Sequence, residues 1–208
     1  SGIVEVLQRR CLETLGVALA PLSTADLAWL LRLDEGSKGE VEGALTGLLH
    51  APDGGGRGVL RRLSDGTVGF ADDGLQRAFF SETYEKEWEA KLVRRALAIL
   101  GGNESSALEQ LGTLGYVVEY LGAHLVRCDS GVADLMALVT PAWLSLWKRR
   151  PGCLTGFATD VRRARKVVHE ALDRAADEAS RASLLGDFVR CVMVEAVLFS
   201  LEGSRTAQ

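Results

Sequence analysis

A mainly α-helical chain with one small β-hairpin is the fold the sequence predicts. Three observations predict it. Apolar residues recur at intervals of three and four along most of the chain. Asp65-Gly66 sits between two short extended runs, which is a hairpin signal. Of the 208 residues, 47% are apolar and 25% charged, a globular composition rather than a disordered or fibrous one. The length allows one large domain or two small ones, each with a real core.

Residues 3–16 place Val4, Leu7, Cys11, Leu12 and Leu15 on one helical face, and Gly16 closes the helix. After Pro21-Leu22, Ser23 or Thr24 is placed to cap a second helix over 24–33, with Leu27, Leu30 and Leu31 as its stripe. Residues 34–39 read as a loop. Residues 40–51 give a third helix with Val41, Leu45, Leu48 and Leu49 inward, ended by the Pro/Gly-rich stretch 52–56. Residues 59–63 and 67–70 are the arms of the hairpin, with Ser64-Asp65-Gly66 as its turn. Three helices followed by a hairpin is the order of a winged-helix domain, expected over residues 3–80.

Residues 81–202 predict a helical bundle and 203–208 a polar tail. Asp72 or Asp73 caps a long helix reaching about Leu100, with Leu75, Phe79, Leu92, Ala96 and Ile99 apolar and a polar stretch over 81–89 that permits a break. Gly101-Gly102-Asn103 ends it. Leu108, Leu111, Leu114, Val118, Leu121 and Leu125 predict one helix over 105–128. Gly112, Gly115 and Gly122 each cost a helix about 1 kcal/mol, so their use is close approach to a neighbour. Residues 132–139 form a short helix, and Thr140-Pro141 starts the next, which carries Trp143, Leu144 and Trp147. Residues 154–178 put Phe157, Val161, Ala164, Val168 and Leu172 inward. The last helix, 181–202, carries Leu184, Leu185, Phe188, Val192, Val197, Leu198 and Leu201. It is apolar on more than one face, so it is either central or covered by something outside this chain.

The net charge of −4 is a poor starting point for nucleic-acid binding. The third helix carries Glu40 and Glu42 and no Lys or Arg, so phosphates would repel it where a recognition helix should read a groove. Arg57, Arg61 and Arg62 on the hairpin are a small footprint. Cys11, Cys128, Cys153 and Cys191 are far apart and form no Cys-x-x-Cys pair, which suggests buried thiols in a reducing, cytoplasmic setting. No uncharged apolar run reaches membrane-spanning length, and no signal peptide is expected. Ser1-Gly2 without Met reads as a cloning remnant, and the chain as a piece of a longer protein.

Charge is unevenly placed. Residues 148–181 hold nine basic and five acidic side chains. The basic ones include Lys148, Arg149, Arg150, Arg162, Arg163, Arg165 and Lys166. As a solvated face they would be laced by pairs such as Lys166 with Glu170. As a docking surface they would meet an acidic partner or a neighbouring domain, and this is where a protein contact is expected.

One stretch of core residues points to a family. It runs Gly115-Tyr116-Val117-Val118-Glu119-Tyr120-Leu121-Gly122-Ala123-His124-Leu125, then Asp134-Leu135-Met136-Ala137-Leu138-Val139, then Ala142-Trp143-Leu144. This pattern resembles the helical region of STAND P-loop ATPases, signalling proteins of the NB-ARC and NACHT kind, in which the region follows a winged helix. Leu22-Ser23 with residues 27–31, Val41 with Leu45 and Leu48, and Val68-Gly69-Phe70 leading to Leu75 and Phe79 extend the resemblance over roughly residues 3–150. It implies a non-catalytic regulatory fragment that links a nucleotide-binding domain to a sensor and controls autoinhibition and oligomerisation. Its partners would be those intramolecular domains and other copies of the protein, with no membrane or nucleic acid. ATP or ADP with Mg would belong to the full-length protein only.

Two departures stand out. No P-loop signature (Gly, four residues, Gly-Lys, then Ser or Thr) occurs in the chain, and Gly36-Ser37-Lys38-Gly39 is too short to serve. Where family members often carry a nucleotide-sensing His after the hairpin, this chain has Asp72, which would repel a phosphate. His124, near Tyr116 and Tyr120, reads as a core histidine. His50 and His169 are isolated, no Gly-x-Ser-x-Gly elbow exists, and Trp143 with Trp147 read as packing. No catalytic, cofactor-binding or metal residue is assigned, and the chain is not expected to be an enzyme. The alternative is a stand-alone winged-helix DNA-binding regulator with a helical dimerisation domain, which needs the hairpin arginines and the 148–166 cluster to form one positive face.

Overall fold

The structure, a computed structural model, describes residues 2–31, 38–49, 58–80, 82–102, 105–150 and 152–206. Among them the chain is mainly helical with one two-stranded antiparallel sheet. The elements are α1 (Gly2–Val17), α2 (Thr24–Leu30), α3 (Lys38–Leu49), β1 (Leu60–Arg62), β2 (Val68–Phe70), α4 (Asp73–Phe79), α5 (Glu82–Gly101), α6 (Ser105–Thr113), α7 (Gly115–Arg127), α8 (Val132–Met136), α9 (Pro141–Trp147), α10 (Cys153–Arg174) and α11 (Glu178–Thr206). Contacts divide the chain into two compact units. One is 1–92 with 114–117; the other is 93–113 with 118–208.

The first unit is organised around α1, α3 and the hairpin. Cys11, Leu15, Leu22, Leu27, Val41, Leu45, Leu60 and Val68 are buried together as its apolar core. β1 and β2 pair with Leu60 opposite Phe70, Arg61 opposite Gly69 and Arg62 opposite Val68. The turn closes as Asp65-Gly66 predicts: Gly66 takes the left-handed φ of +83°, and Asp65 Oδ1 accepts from the Thr67 amide at 2.9 Å. Leu22, between α1 and α2, pairs with the other edge of β2: its N–H donates to Val68 O at 3.0 Å, and Val68 N–H donates back at 2.8 Å. Three strand-like segments therefore meet, two of them contiguous in sequence.

Ser23 caps α2 in a full capping box with Asp26. Asp26 is buried, and its second oxygen accepts the Tyr116 amide at 3.1 Å. The Tyr116 hydroxyl in turn accepts the Leu19 amide at 2.9 Å. The segment 114–117 is thus fixed to the first unit by two polar contacts that join both sides of Leu22.

Several expectations change. The helix expected over 105–128 is two, α6 and α7, parted at the buried Leu114. Gly112 and Gly115 flank the break, where helix is least favoured. The helix after Asp72 does break, as the polar 81–89 stretch permits, but at its edge: it divides into α4 and α5 at Phe80, whose extended backbone (φ −73°, ψ 135°) leaves the helix. Asp72 is the N-cap: its Oδ1 accepts the Leu75 amide at 2.9 Å. α4 buries none of its residues, so Leu75 and Phe79 are half-buried rather than core, although Phe79 stacks on Phe70 with ring centres 5.6 Å apart. Val4 is exposed because it lies in the first turn of α1, ahead of the packed stretch. His50, Arg57, the loop 34–37 and the 52–56 breaker lie outside the described residues.

In the second unit, Leu111, Leu121, Leu125, Leu135, Leu138, Trp143, Val161, Ala164 and Val168 are buried as the core. Thr140 caps α9 by accepting the Trp143 amide at 3.2 Å, with Pro141 at the first helical position. α10 packs along α11 as a helical pair, and it also meets α8 and α9.

Candidate interaction surface

α10 is strongly amphipathic, and its buried face carries Phe157, Ala158, Val161, Ala164 and Val168. One charged residue lies on that face. Asp160 has no exposed surface, and its Oδ2 accepts two indole N–H groups, from Trp143 at 2.9 Å and from Trp147 at 3.0 Å. Its Oδ1 accepts from Arg163 Nη1 at 2.9 Å. A buried carboxylate is costly unless its oxygens are bonded. Here three donors from two helices converge on it. Burial pushes the Asp160 carboxyl above its ordinary value, against the pull of the two indoles and Arg163.

Two glycines make room for this cluster. A Cβ on Gly122 would overlap Asp160 Oδ1, and one on Gly156 would overlap the Trp147 ring. Gly112 admits Arg149 and Leu146 in the same way, at 3.0 and 3.1 Å from the position a Cβ would take. Close approach is thus the use of Gly112 and Gly122, whereas Gly115 is the first residue of α7. Gly156→Ala is expected to lower the unfolding free energy by about 1–3 kcal/mol, since overpacking outweighs the ~1 kcal/mol that alanine gains in helix propensity. Urea denaturation followed by circular dichroism reads this directly.

The carboxylate and both tryptophans are buried, while Arg163 is partly open, so the cluster ties α9 to α10. The second unit also presents an apolar stretch outward. Along α11, Cys191 and Leu198 are buried, while Leu185, Val189, Val192, Met193, Val197, Phe199 and Leu201 are exposed. Beside α11 runs an open groove of about 490 Å³, lined by Val139, Leu144, Phe157, Met193, Val197 and Leu201 among others, with Lys148 and Arg190 also on its walls. Arg190 is held there by donating to the Val139 carbonyl.

The seven basic residues are only partly available. Arg163 is committed to Asp160. Arg165 pairs with Glu195 of α11 at 3.0 Å, and Arg162 approaches the same carboxylate at 4.0 Å. Lys166 approaches Glu170 at 3.9 Å, as the four-residue spacing predicts. Arg150 donates to the Gly112 carbonyl at 3.2 Å. Lys148 and Arg149 are exposed. Much of this positive charge is therefore used to clamp α10 on α11 and α9 on α6.

On the first unit, Glu42 of α3 receives Arg62 of β1 and, at 2.9 Å, the Thr24 hydroxyl. One hairpin arginine is thereby neutralised by the acidic helix. His124 is fully buried and His169 is exposed, with its ring 5.9 Å from Phe188. Burial lowers the His124 pKa to about 4, so the ring is neutral near pH 7. Cys11 and Cys191 are buried, and burial raises both thiols to about 11. Among the described residues no three His, Cys, Asp or Glu side chains are grouped to hold a metal, and no helix is long and apolar enough to cross a membrane. No family model, no curated protein and no solved structure matches the chain.

Proposed function

We propose that this chain is the winged-helix and helical region of a STAND-type signalling ATPase, a regulatory module that works through protein contacts. The observation that carries the reading is the pairing of Leu22 with Val68. It adds a one-residue bridge between α1 and α2 to the hairpin, so the first unit runs helix, bridge, helix, helix, strand, strand, which supports a winged-helix reading. The resemblance over residues 105–144 then supplies the family. In this reading the winged helix packs on a nucleotide-binding domain, and the helical unit carries the signal to a sensor. Release of intramolecular contacts permits assembly.

The contacts of α3 favour protein over DNA as what the winged helix meets. Glu42 lies on α3, the helix that would read a groove in this fold, and holds Arg62 against itself. Duplex DNA titrated against the chain at falling salt is expected to show no binding, even at 20–50 mM where phosphate contacts are strongest. Binding that weakens steeply with salt would favour the DNA-binding regulator instead. The family is tested by the reading frame ahead of residue 3: a P-loop there supports the assignment, and a frame without one overturns it.

A further inference from the structure

The outer face of α11 has a regular seam. Ala182, Leu185, Val189, Val192, Ala196 and Phe199 recur at alternating steps of three and four, the a/d spacing of a coiled-coil face. All six are exposed: Leu185 54%, Val189 51%, Val192 39% and Phe199 79%, with both alanines also open. Beside them Met193 is 62% exposed. No charge interrupts the seam. Within residues 182–201 the charged side chains are Asp187, Arg190 and Glu195. Arg190 is bound to the Val139 carbonyl, Glu195 is bound by Arg165, and Asp187 is half-buried.

We infer that a second copy of this chain covers the seam, with the two α11 helices antiparallel about a two-fold axis. The order of side-chain sizes carries the inference. In an antiparallel pair, each a position faces a d position of the other helix. One register sets Ala182 against Phe199, Leu185 against Ala196, and Val189 against Val192 of the second copy. Every layer then joins a large side chain to a small one, or two of equal size, and the two-fold repeats each layer. A parallel pair would stack Phe199 on Phe199 and Ala196 on Ala196, crowding one layer and emptying the next. Shifting the antiparallel register by one heptad sets Val189 against Phe199 and Val192 against Ala196, or in the other direction Ala182 against Val192 and Leu185 against Val189, and either shift leaves two of the six positions uncovered. Over its full length the seam is complementary to itself in one arrangement, and its neutrality selects no oppositely charged partner. With Met193, the seam exposes seven apolar side chains over about five turns of helix. The inference rests on α11 alone and does not depend on the proposed family.

Sedimentation equilibrium of the chain at tens of micromolar is expected to give twice the 22.4 kDa chain mass. Val192→Glu places a carboxylate in the central layers and is expected to give monomer with unchanged far-ultraviolet circular dichroism. The register is read separately. A one-to-one mixture of V189C and V192C is expected to form a covalent heterodimer on mild oxidation, because position 189 of one copy faces position 192 of the other across the axis. V192C alone is expected to cross-link no more than the unsubstituted chain. A monomer at 100 μM, a dimer indifferent to Val192→Glu, or strong cross-linking by V192C alone would each overturn the arrangement.

Discussion

Replacing Asp160 with alanine is expected to lower the unfolding free energy of the second unit by about 3–5 kcal/mol, since two buried indole N–H groups and a partly exposed guanidinium lose their acceptor together. Two indole N–H groups lose their acceptor at once, since Trp143 and Trp147 share Oδ2. Arg163 loses its carboxylate too, although its side chain is 31% exposed and reaches water. Most of the loss therefore belongs to the tryptophans, and Arg163→Gln is expected to cost less than Asp160→Ala. Asp160→Asn keeps one oxygen for the indoles but turns an amide toward the guanidinium, for an intermediate cost of about 2 kcal/mol. Urea denaturation of the three variants, with the Asp160/Arg163 double mutant to close the cycle, separates the contributions. Equal losses for Asp160→Ala and Arg163→Gln would refute the division. The pH dependence has a definite sign. Because burial holds the folded carboxyl above its ordinary value, the folded state binds its proton more tightly than the unfolded chain. This residue's contribution is greatest in acid and falls as pH rises from the ordinary Asp range through the raised folded value. Asp160→Asn removes that slope.

Local chemistry explains which parts of this architecture can be read without a structure. Ser23, Asp72 and Thr140-Pro141 cap helices, and Asp65-Gly66 turns the hairpin, because each acts on backbone groups within three residues. The break at Leu114 has no such signal. Leu108, Leu111, Leu114, Val118, Leu121 and Leu125 keep a helical period straight through it, and only the glycines at 112 and 115 weaken the run. The Asp160 cluster is half legible. Trp143 and Trp147 read as core from their spacing, and both are buried. Their indole N–H groups still require an acceptor. A carboxylate at 160, set among Phe157, Val161 and Ala164 on an apolar helix face, was the signal for it. The basic residues show the opposite case. Lys166 with Glu170 follows from spacing, but Arg162 and Arg165 meet Glu195 thirty residues on, across a helix packing that no local pattern encodes.

Acidification should expose a second buried titratable group of the bundle. His124 has no exposed surface on α7, and desolvation lowers its pKa from 6.5 to about 4. The unfolded chain therefore binds a proton between those values where the folded chain does not. The sign follows from linkage: His124 contributes its full stability above pH 6.5 and loses it as pH falls through about 4. A shift of this size corresponds to about 3 kcal/mol, with a limiting slope of about 1.4 kcal/mol per pH unit between the two values. Asp160 works against it, gaining stability in acid, so the unsubstituted chain shows the difference of two opposed slopes. The Asp160→Asn variant removes one of them. In that background the loss of stability between pH 6.5 and 4 is expected to be steeper than in the unsubstituted chain. Adding His124→Gln is expected to flatten it, at the cost of a lower plateau near pH 7 from repacking a fully buried site. Urea midpoints at half-unit pH steps, with the denaturant dependence checked for constancy, measure both effects. If His124→Gln leaves the acid slope of the Asp160→Asn chain unchanged, the histidine is not the group that titrates.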